Sequence, residues 1–390
     1  MSRRVNIYAL VTSSFFSGFR TNLINAIWQP FVLSLGASMS TLGFVESLAG
    51  HRGIVPALAQ FTGGWLSDRR GRKPFLAFGS AMAIIYAGLC LLAFYRKDWR
   101  LLFPAVIFLG LSALSRPAQS SLVADSVRER ELGTAYSLVM AASIIPGIFA
   151  PAFGGFTADR LGFGSVFALA IVLEAVALFT IVRWIRETVA SDPSPTPFPW
   201  KVLIARLFPP PAHLRPFYVA VAADSFSWGL GYGILYGMLT RTYGLSTSEI
   251  GLIVSASLTA WLIFQVPVGR LVDRFGGFKF MVISELVGIP LMAGWLIFRS
   301  LKAFLFLQVL WGLVAATWVP AVQSYLALRV PQEERGEAMG ILNAFRGLFS
   351  FPSPFLGSLL YDLTGFSGPI LANIVGIIIT TAIFLLWVRE

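Results

Sequence analysis

Gly64-Trp65-Leu66-Ser67-Asp68-Arg69-Arg70-Gly71-Arg72-Lys73 places five charges in ten residues between two apolar runs, and its reading decides the fold. Glycines 64 and 71 let the backbone turn tightly and let helices approach one another. Arg69, Arg70, Arg72 and Lys73 suit the cytoplasmic headgroup layer of a membrane. Asp68 stands at the inner end of a helix, where a carboxylate can bond the amino terminus of a facing helix or an arginine. The pattern returns in weaker form as Gly269-Arg270-Leu271-Val272-Asp273-Arg274-Phe275-Gly276-Gly277-Phe278-Lys279.

Composition points the same way. Hydrophobic residues make up 56% of the 390 and charged residues 13%, with mean hydropathy +0.74. A soluble domain carries about a quarter charged residues. At ~20 residues per span, the chain holds about twelve spans and no soluble domain. They are expected near 7–33, 40–66, 74–95, 101–124, 132–157, 164–187, 215–239, 248–271, 279–299, 303–327, 337–360 and 367–388. With the amino terminus inside, cytoplasmic segments hold 19 Lys/Arg and external loops 7. This positive-inside bias puts both termini in the cytoplasm. It also explains the net charge of +11 without nucleic acid. The Met1–Arg4 start reads as the beginning of a retained first helix, since no small-residue cleavage site follows. One cysteine (Cys90) and two histidines (His51, His213) give neither a disulfide framework nor metal-ligand spacing. No nucleophile–base pair is found, so neither a cofactor nor enzymatic activity is expected.

The chain repeats itself. Pro117, Gly133, Pro151, Gly154, Asp159, Gly162 and Phe163 recur 203 positions later as Pro320, Gly336, Pro354, Gly357, Asp362, Gly365 and Phe366. Gln60, Gly64, Asp68 and Arg69 recur at 205, and Gly36 and Gly43 at 208. Slowly drifting offsets indicate a duplicated six-helix unit. The organisation expected is a bundle over 1–187, a proline-rich cytoplasmic linker over 188–214 with a short amphipathic stretch at Trp200–Phe208, and a second bundle over 215–390. The fold class is an all-α integral membrane protein of twelve transmembrane helices in two pseudo-symmetric bundles. Such parallel repeats place a substrate site near the midplane.

A loop reading G-x-x-x-D-R-x-G-R-K between membrane helices resembles the signature between helices 2 and 3 of the major facilitator superfamily of secondary transporters. The resemblance implies that Asp68 contacts the start of helix 11, around Gly336–Ala338, and that Arg72 pairs with Asp125. That network would latch the cytoplasmic side, with Gly64, Arg69, Gly71, Lys73 and, in the second copy, Asp273 and Arg274 as its other members. Ala150-Pro151-Ala152-Phe153-Gly154-Gly155 resembles the G-P-x-x-G-G segment of the family's proton-coupled exporters, with alanine replacing the first glycine. A second exporter signature, R-x-x-x-G in span 4, is missing: Val106 stands where its arginine would be.

Four arginines fall deep in spans: Arg20, Arg52, Arg116 and Arg346. Arg116 and Arg346 lie roughly 14 Å in, at 1.5 Å per residue. A midplane arginine costs at least ~2.5 kcal/mol to insert, so each needs a partner or a use. By helical phase Ser112, Arg116, Gln119 and Ser120 share a face, as do Asn343, Arg346, Ser350 and Ser353. The resemblance puts the spans of all four arginines beside the central cavity. Arginine reads carboxylate and phosphate bidentately, so the substrate expected is a small organic anion or anionic amphiphile. Tyr232 and Tyr236 would shape its pocket. Asp224, Glu46 and His51 are the candidates for proton coupling. The alternative is a drug–proton antiporter for cationic or neutral lipophiles, favoured by span 5. Either protein would work as a monomer in the cell membrane.

Overall fold

In the computed structural model, which describes residues 2–50, 53–128, 131–188, 212–331 and 335–388, the apolar segments are helical and no strand forms among the described residues. The first segment is one helix, α1 (Ser2–Ser34), and the second is two, α2 (Met39–Ala49) and α3 (Ile54–Arg70). α4 (Arg72–Arg96) follows the charged turn. α5 (Leu102–Ser112) and α6 (Ser115–Ser126) share the fourth segment, α7 (Leu132–Ile144) and α8 (Ala150–Leu161) the fifth, and α9 (Phe163–Trp184) fills the sixth. The second half begins with α10 (Arg215–Gly231) and α11 (Leu235–Tyr243), then α12 (Thr247–Phe275), α13 (Gly277–Ile297) and α14 (Leu301–Ala327). It ends with α15 (Arg335–Ser350), α16 (Ser353–Thr364) and α17 (Ser367–Trp387). Each of the twelve expected spans thus holds one helix or a broken pair. Among the described residues seven stretches are long and apolar enough to cross a bilayer, and α7 with α8, bent by 41°, makes an eighth. The segments that fall short carry polar residues such as Arg20 and Arg346, or are interrupted. The amphipathic stretch expected at Trp200–Phe208 lies outside the described residues.

Six glycines have left-handed backbone, and they form three pairs at the repeat offsets: Gly36 (φ 82°) with Gly244 (64°), Gly71 (92°) with Gly276 (90°), and Gly162 (82°) with Gly365 (70°). An L-residue meets its own Cβ there, so glycine is the residue that turns the chain between helices at these points. Pro151 and its repeat partner Pro354 sit in the first turn of α8 and α16, where a missing N–H costs nothing.

The chain divides into two compact units, one of Met1–Ala37, Leu48–Phe198 and Ser246–Gly251, the other of Ser38–Ser47, Pro199–Leu245 and Leu252–Glu390. The division follows the repeat, except that the start of α12 groups with the first unit and most of α2 with the second. Within the first unit α1 packs on α9, and α4 on α9 and α5. In the second, α10 packs on α17, and α13 on α17 and α14, the same arrangement in repeat-equivalent helices. Phe31 packs against Phe163 and Phe167 at 5.4 and 4.6 Å in one core. Phe217 stacks on Tyr325 at 4.6 Å in the other. Outward faces stay apolar, as at Val172, Phe179, Leu385 and Leu386. Lipid solvates such faces, so apolar burial adds little drive between helices. Close backbone contact through small residues takes over. A Cβ on Gly154 would lie 2.7 Å from the Leu23 carbonyl oxygen of α1, and one on Gly357 would strike the Leu230 carbonyl of α10.

Candidate functional site

The charged turn is built on Gly71, which ends α3 and opens α4. The first N–H groups of α4 have no helical partners. Glu187, just beyond α9, takes two of them: its carboxylate accepts from the N–H of Arg72 at 3.0 Å and of Lys73 at 2.9 Å. A Cβ on Gly71 would sit 2.6 Å from Glu187 Oε2. Position 71 therefore requires glycine for its backbone, φ 92°, and a Cβ there would also push the Glu187 carboxylate aside. The Arg72 guanidinium pairs with Asp125 in the last turn of α6 and donates to the Ser121 carbonyl at 2.6 Å. Thr188 Oγ1 also donates to Asp125, at 2.8 Å. Asp68 lies 3.7 Å from Arg72 with its side chain 58% exposed, so its carboxylate is largely open to solvent. Lys73 Nζ donates to the Val182 carbonyl at 2.8 Å, Arg69 stacks on Trp65 at 4.2 Å, and Gly64 packs on Pro117.

The second copy has its equivalents at Asp273 and Arg274. Asp273 and Arg274 are exposed, and neither enters an ion pair among the described residues; Arg274 instead lies 5.2 Å over Phe275. Glu187 escaped the sequence reading because it stands 115 residues from Arg72 with no local pattern to mark it. Glu187→Ala is expected to cost about 1 kcal/mol, the usual loss for a helix cap. Chemical unfolding of the purified protein measures it, and an unchanged midpoint would show that the cap is redundant.

The deep arginines meet different fates. Arg20 Nε pairs with Glu174 of α9 at 2.7 Å, both side chains being under a tenth exposed. Ser17 donates to the same carboxylate at 3.1 Å. The face of α1 that carries Ser17 and Arg20 is thus turned to α9. Arg116 lies in the first turn of α6 and is exposed, and its guanidinium takes no ion pair or hydrogen bond among the described residues. Its phase-mate Gln119 donates to Ser14 of α1 at 2.7 Å. The break between α5 and α6 interrupts the polar face expected over Ser112–Ser120. In α15, Asn343 is exposed, while Ser350 and, across the break, Ser353 are fully buried. Arg346 Nε donates to Ser225 Oγ. Ser225 donates to Asp224 Oδ2 at 3.3 Å, and both Asp224 and Glu285 are buried. Tyr232 stacks on Trp311 at 4.7 Å with the rings 3° from parallel, and donates to Gln308 at 2.9 Å. Tyr236 lies 3.3 Å from its hydroxyl. Glu46 is half-buried on α2. His51 and Arg52 lie outside the described residues. Gln308 and Trp311 escaped the sequence reading, since each is a single residue on an apolar helix.

The span-5 segment shows why its small residues are there. Gly154 lies against α1. A Cβ on Gly155 would strike the Thr247 carbonyl at the start of α12, and one on Gly251 the Pro151 carbonyl. Asp159 caps the same start, accepting from the N–H of Thr247 at 3.2 Å and of Ser248 at 2.7 Å. These residues all belong to the first unit. The second unit has the corresponding contact, with Gly43 against the Pro354 carbonyl and Ser47 Oγ accepting the Phe355 N–H at 3.1 Å.

Two repeat-equivalent helical units, helix starts held by glycine and a charged turn define a multi-pass membrane transporter. The family model of the Major Facilitator Superfamily matches residues 10–239 and 217–390, and the chain belongs to that family. It is a transporter of small molecules and not an enzyme. The chain is 24% identical to the multidrug resistance protein MdtG of Klebsiella pneumoniae (strain 342), over 85% of this chain and 80% of that one. It is also 24% identical to the multi-drug resistance efflux pump PmrA of Streptococcus pneumoniae serotype 4, over 90% and 88%. Among solved structures, a bacterial homologue of the human lysosomal transporter Spinster superposes with TM-score 0.74 at 17% identity, over 99% of this chain and 96% of that one. The human organic anion transporter MFSD10 does so with 0.69 at 16%, over 98% and 100%.

Proposed function

We propose that the protein exports neutral or cationic amphiphiles across the cell membrane by alternating access, in exchange for protons, as a monomer with both termini in the cytoplasm. The observation that carries this is the fate of the deep arginines. Glu174 cancels the charge of Arg20, and Arg346 is tied through Ser225 to the acid Asp224. Much of the positive charge that favours an anion is thereby spent inside each unit. The span-5 segment resembles that of proton-coupled exporters, and two relatives are named for multidrug resistance and efflux. The Arg72–Asp125 pair and the Glu187 cap fit a latch on the cytoplasmic side. Proteoliposomes with an imposed proton gradient and a fluorescent lipophilic cation test the proposal. Accumulation that collapses with the gradient is expected, and gradient-independent leakage alone would overturn it.

Arg116 favours a second reading, transport of organic anions, because it is an exposed guanidinium without an ion pair among the described residues. A ligand at 100 times its Kd stabilises the folded state by about 2.7 kcal/mol. On this reading carboxylates and phosphates raise the Tm and Arg116→Gln abolishes the rise. Stabilisation by lipophilic cations alone would eliminate it.

A further inference from the structure

The first unit carries a groove of about 290 Å³ between α1 and α9. Val5, Tyr8, Ala9 and Thr12 form one wall, at the i, i+3, i+4, i+7 spacing of a single helical face. Thr180 and Trp184, one turn apart on α9, form the other. α1 begins and α9 ends here, so the groove opens near one membrane surface. It also opens sideways, towards lipid. Tyr8 is 71% exposed and Trp184 45%, and Trp184 packs edge-on at 5.4 Å against the exposed ring of Phe179. Rings with a polar tip favour the headgroup level of a bilayer.

The polar atoms of the groove are donors that the protein leaves unmatched. Thr180 donates to the Val176 carbonyl at 2.8 Å and is satisfied. The hydroxyls of Tyr8 and Thr12 and the indole N–H of Trp184 have no hydrogen-bond partner among the described residues. Arg183 follows Thr180 by three residues on the same face, is exposed, and enters no ion pair among them either. No acid is at hand to answer it. α1 contains none, Glu174 of α9 pairs with Arg20, and Glu187 accepts from the first N–H groups of α4.

The second copy of the fold shows that helix packing does not require this polar set. At the offset of 208, Tyr8 and Thr12 correspond to Pro216 and Ala220. At 203, Thr180, Arg183 and Trp184 correspond to Ile383, Leu386 and Trp387. α10 packs on α17 as extensively as α1 does on α9, with Ala220 fully buried. Only the tryptophan is kept. The hydroxyls and the guanidinium therefore serve something outside the helix pair.

We propose that the α1–α9 groove binds one glycerophospholipid with an anionic headgroup. Arg183 and the Trp184 N–H are donor-only groups and suit the phosphate oxygens. The Thr12 hydroxyl, one turn deeper than Tyr8, suits an ester carbonyl, and an acyl chain covers Val5 and Ala9. A choline headgroup would bring a second cation beside Arg183, which disfavours it.

Native mass spectrometry of the full-length protein, titrated in detergent with phosphatidylglycerol or phosphatidylcholine, tests this. The wild type should retain a single phosphatidylglycerol, at lower concentrations than it retains phosphatidylcholine. Arg183→Gln should weaken that retention about tenfold, the loss of a hydrogen bond to a charged group. Arg160→Gln, at the end of α8, is the control and should change nothing. Arg183 and Thr12 are exposed, so their variants are first checked for an unchanged unfolding midpoint without lipid. Equal retention of the two lipids would overturn the site, leaving an unselective lipid coat. Undiminished retention of phosphatidylglycerol by Arg183→Gln combined with Thr12→Val would do the same. Lipid retained only by a dimer would also overturn it and assign the face to a second copy of the chain.

Discussion

Glu174→Ala is expected to destabilise the protein by about 3–5 kcal/mol, the cost of leaving one member of a buried ion pair alone. The Arg20–Glu174 contact is 2.7 Å long, and both side chains are under a tenth exposed. Removing the carboxylate strands a guanidinium between α1 and α9 and takes away the acceptor of the Ser17 hydroxyl. α1 and α9 are among the most extensively packed helices of the first unit, so the damage should reach the whole unit. Thermal unfolding in detergent measures it. Arg20→Met combined with Glu174→Leu should recover most of the loss, because replacing both charges by apolar groups removes the desolvation cost along with the attraction. A double variant no more stable than Glu174→Ala would show that the pair supplies something beyond charge compensation.

Gly154→Val carries the second large effect. A Cβ at position 154 lies 2.7 Å from a backbone carbonyl oxygen, so no rotamer change can relieve the contact. The helices must separate, and overpacking of this kind costs about 1–3 kcal/mol. Gly357→Val should behave alike in the second unit, where the Leu230 carbonyl of α10 stands in the same place. Gly269→Ala is the control. Nothing lies within 4 Å of its Cβ position, and the substitution in mid-helix should be neutral or stabilising by roughly 0.5–1 kcal/mol. If all three variants unfold at the wild-type midpoint, close backbone approach is not what holds α8 to α1.

The repeat offsets read from glycines and prolines carried more structural information than the hydropathy did. Gly36 with Gly244 and Gly162 with Gly365 were paired by spacing alone, and each pair shares a left-handed backbone. Such a residue announces itself in sequence because its constraint is local. The Arg72–Asp125 contact came instead from the family resemblance, since 53 residues separate its members. Helical phase correctly grouped Ser17 with Arg20 but did not reveal that Glu174 answers both. In α15, phase grouped Arg346 with two serines that the structure buries, Ser350 at the end of the helix and Ser353 across the break.

By itself the sequence determined what depends on neighbours along the chain. Membrane insertion follows from apolar runs that satisfy their own backbone hydrogen bonds in lipid, the duplication from matched offsets, and the paired turns from glycines, which fit positive φ without strain. The tertiary structure decided the fate of each buried charge. Period fixes which residues share a helical face, but the helix that meets that face is set by close packing at positions such as Gly154 and Gly357. That packing gives Arg20 a carboxylate partner, links Arg346 through Ser225 to Asp224, caps α4 with Glu187 and leaves Arg116 exposed. Electrostatic energy depends on distance in space, and a sequence specifies distance only along the chain.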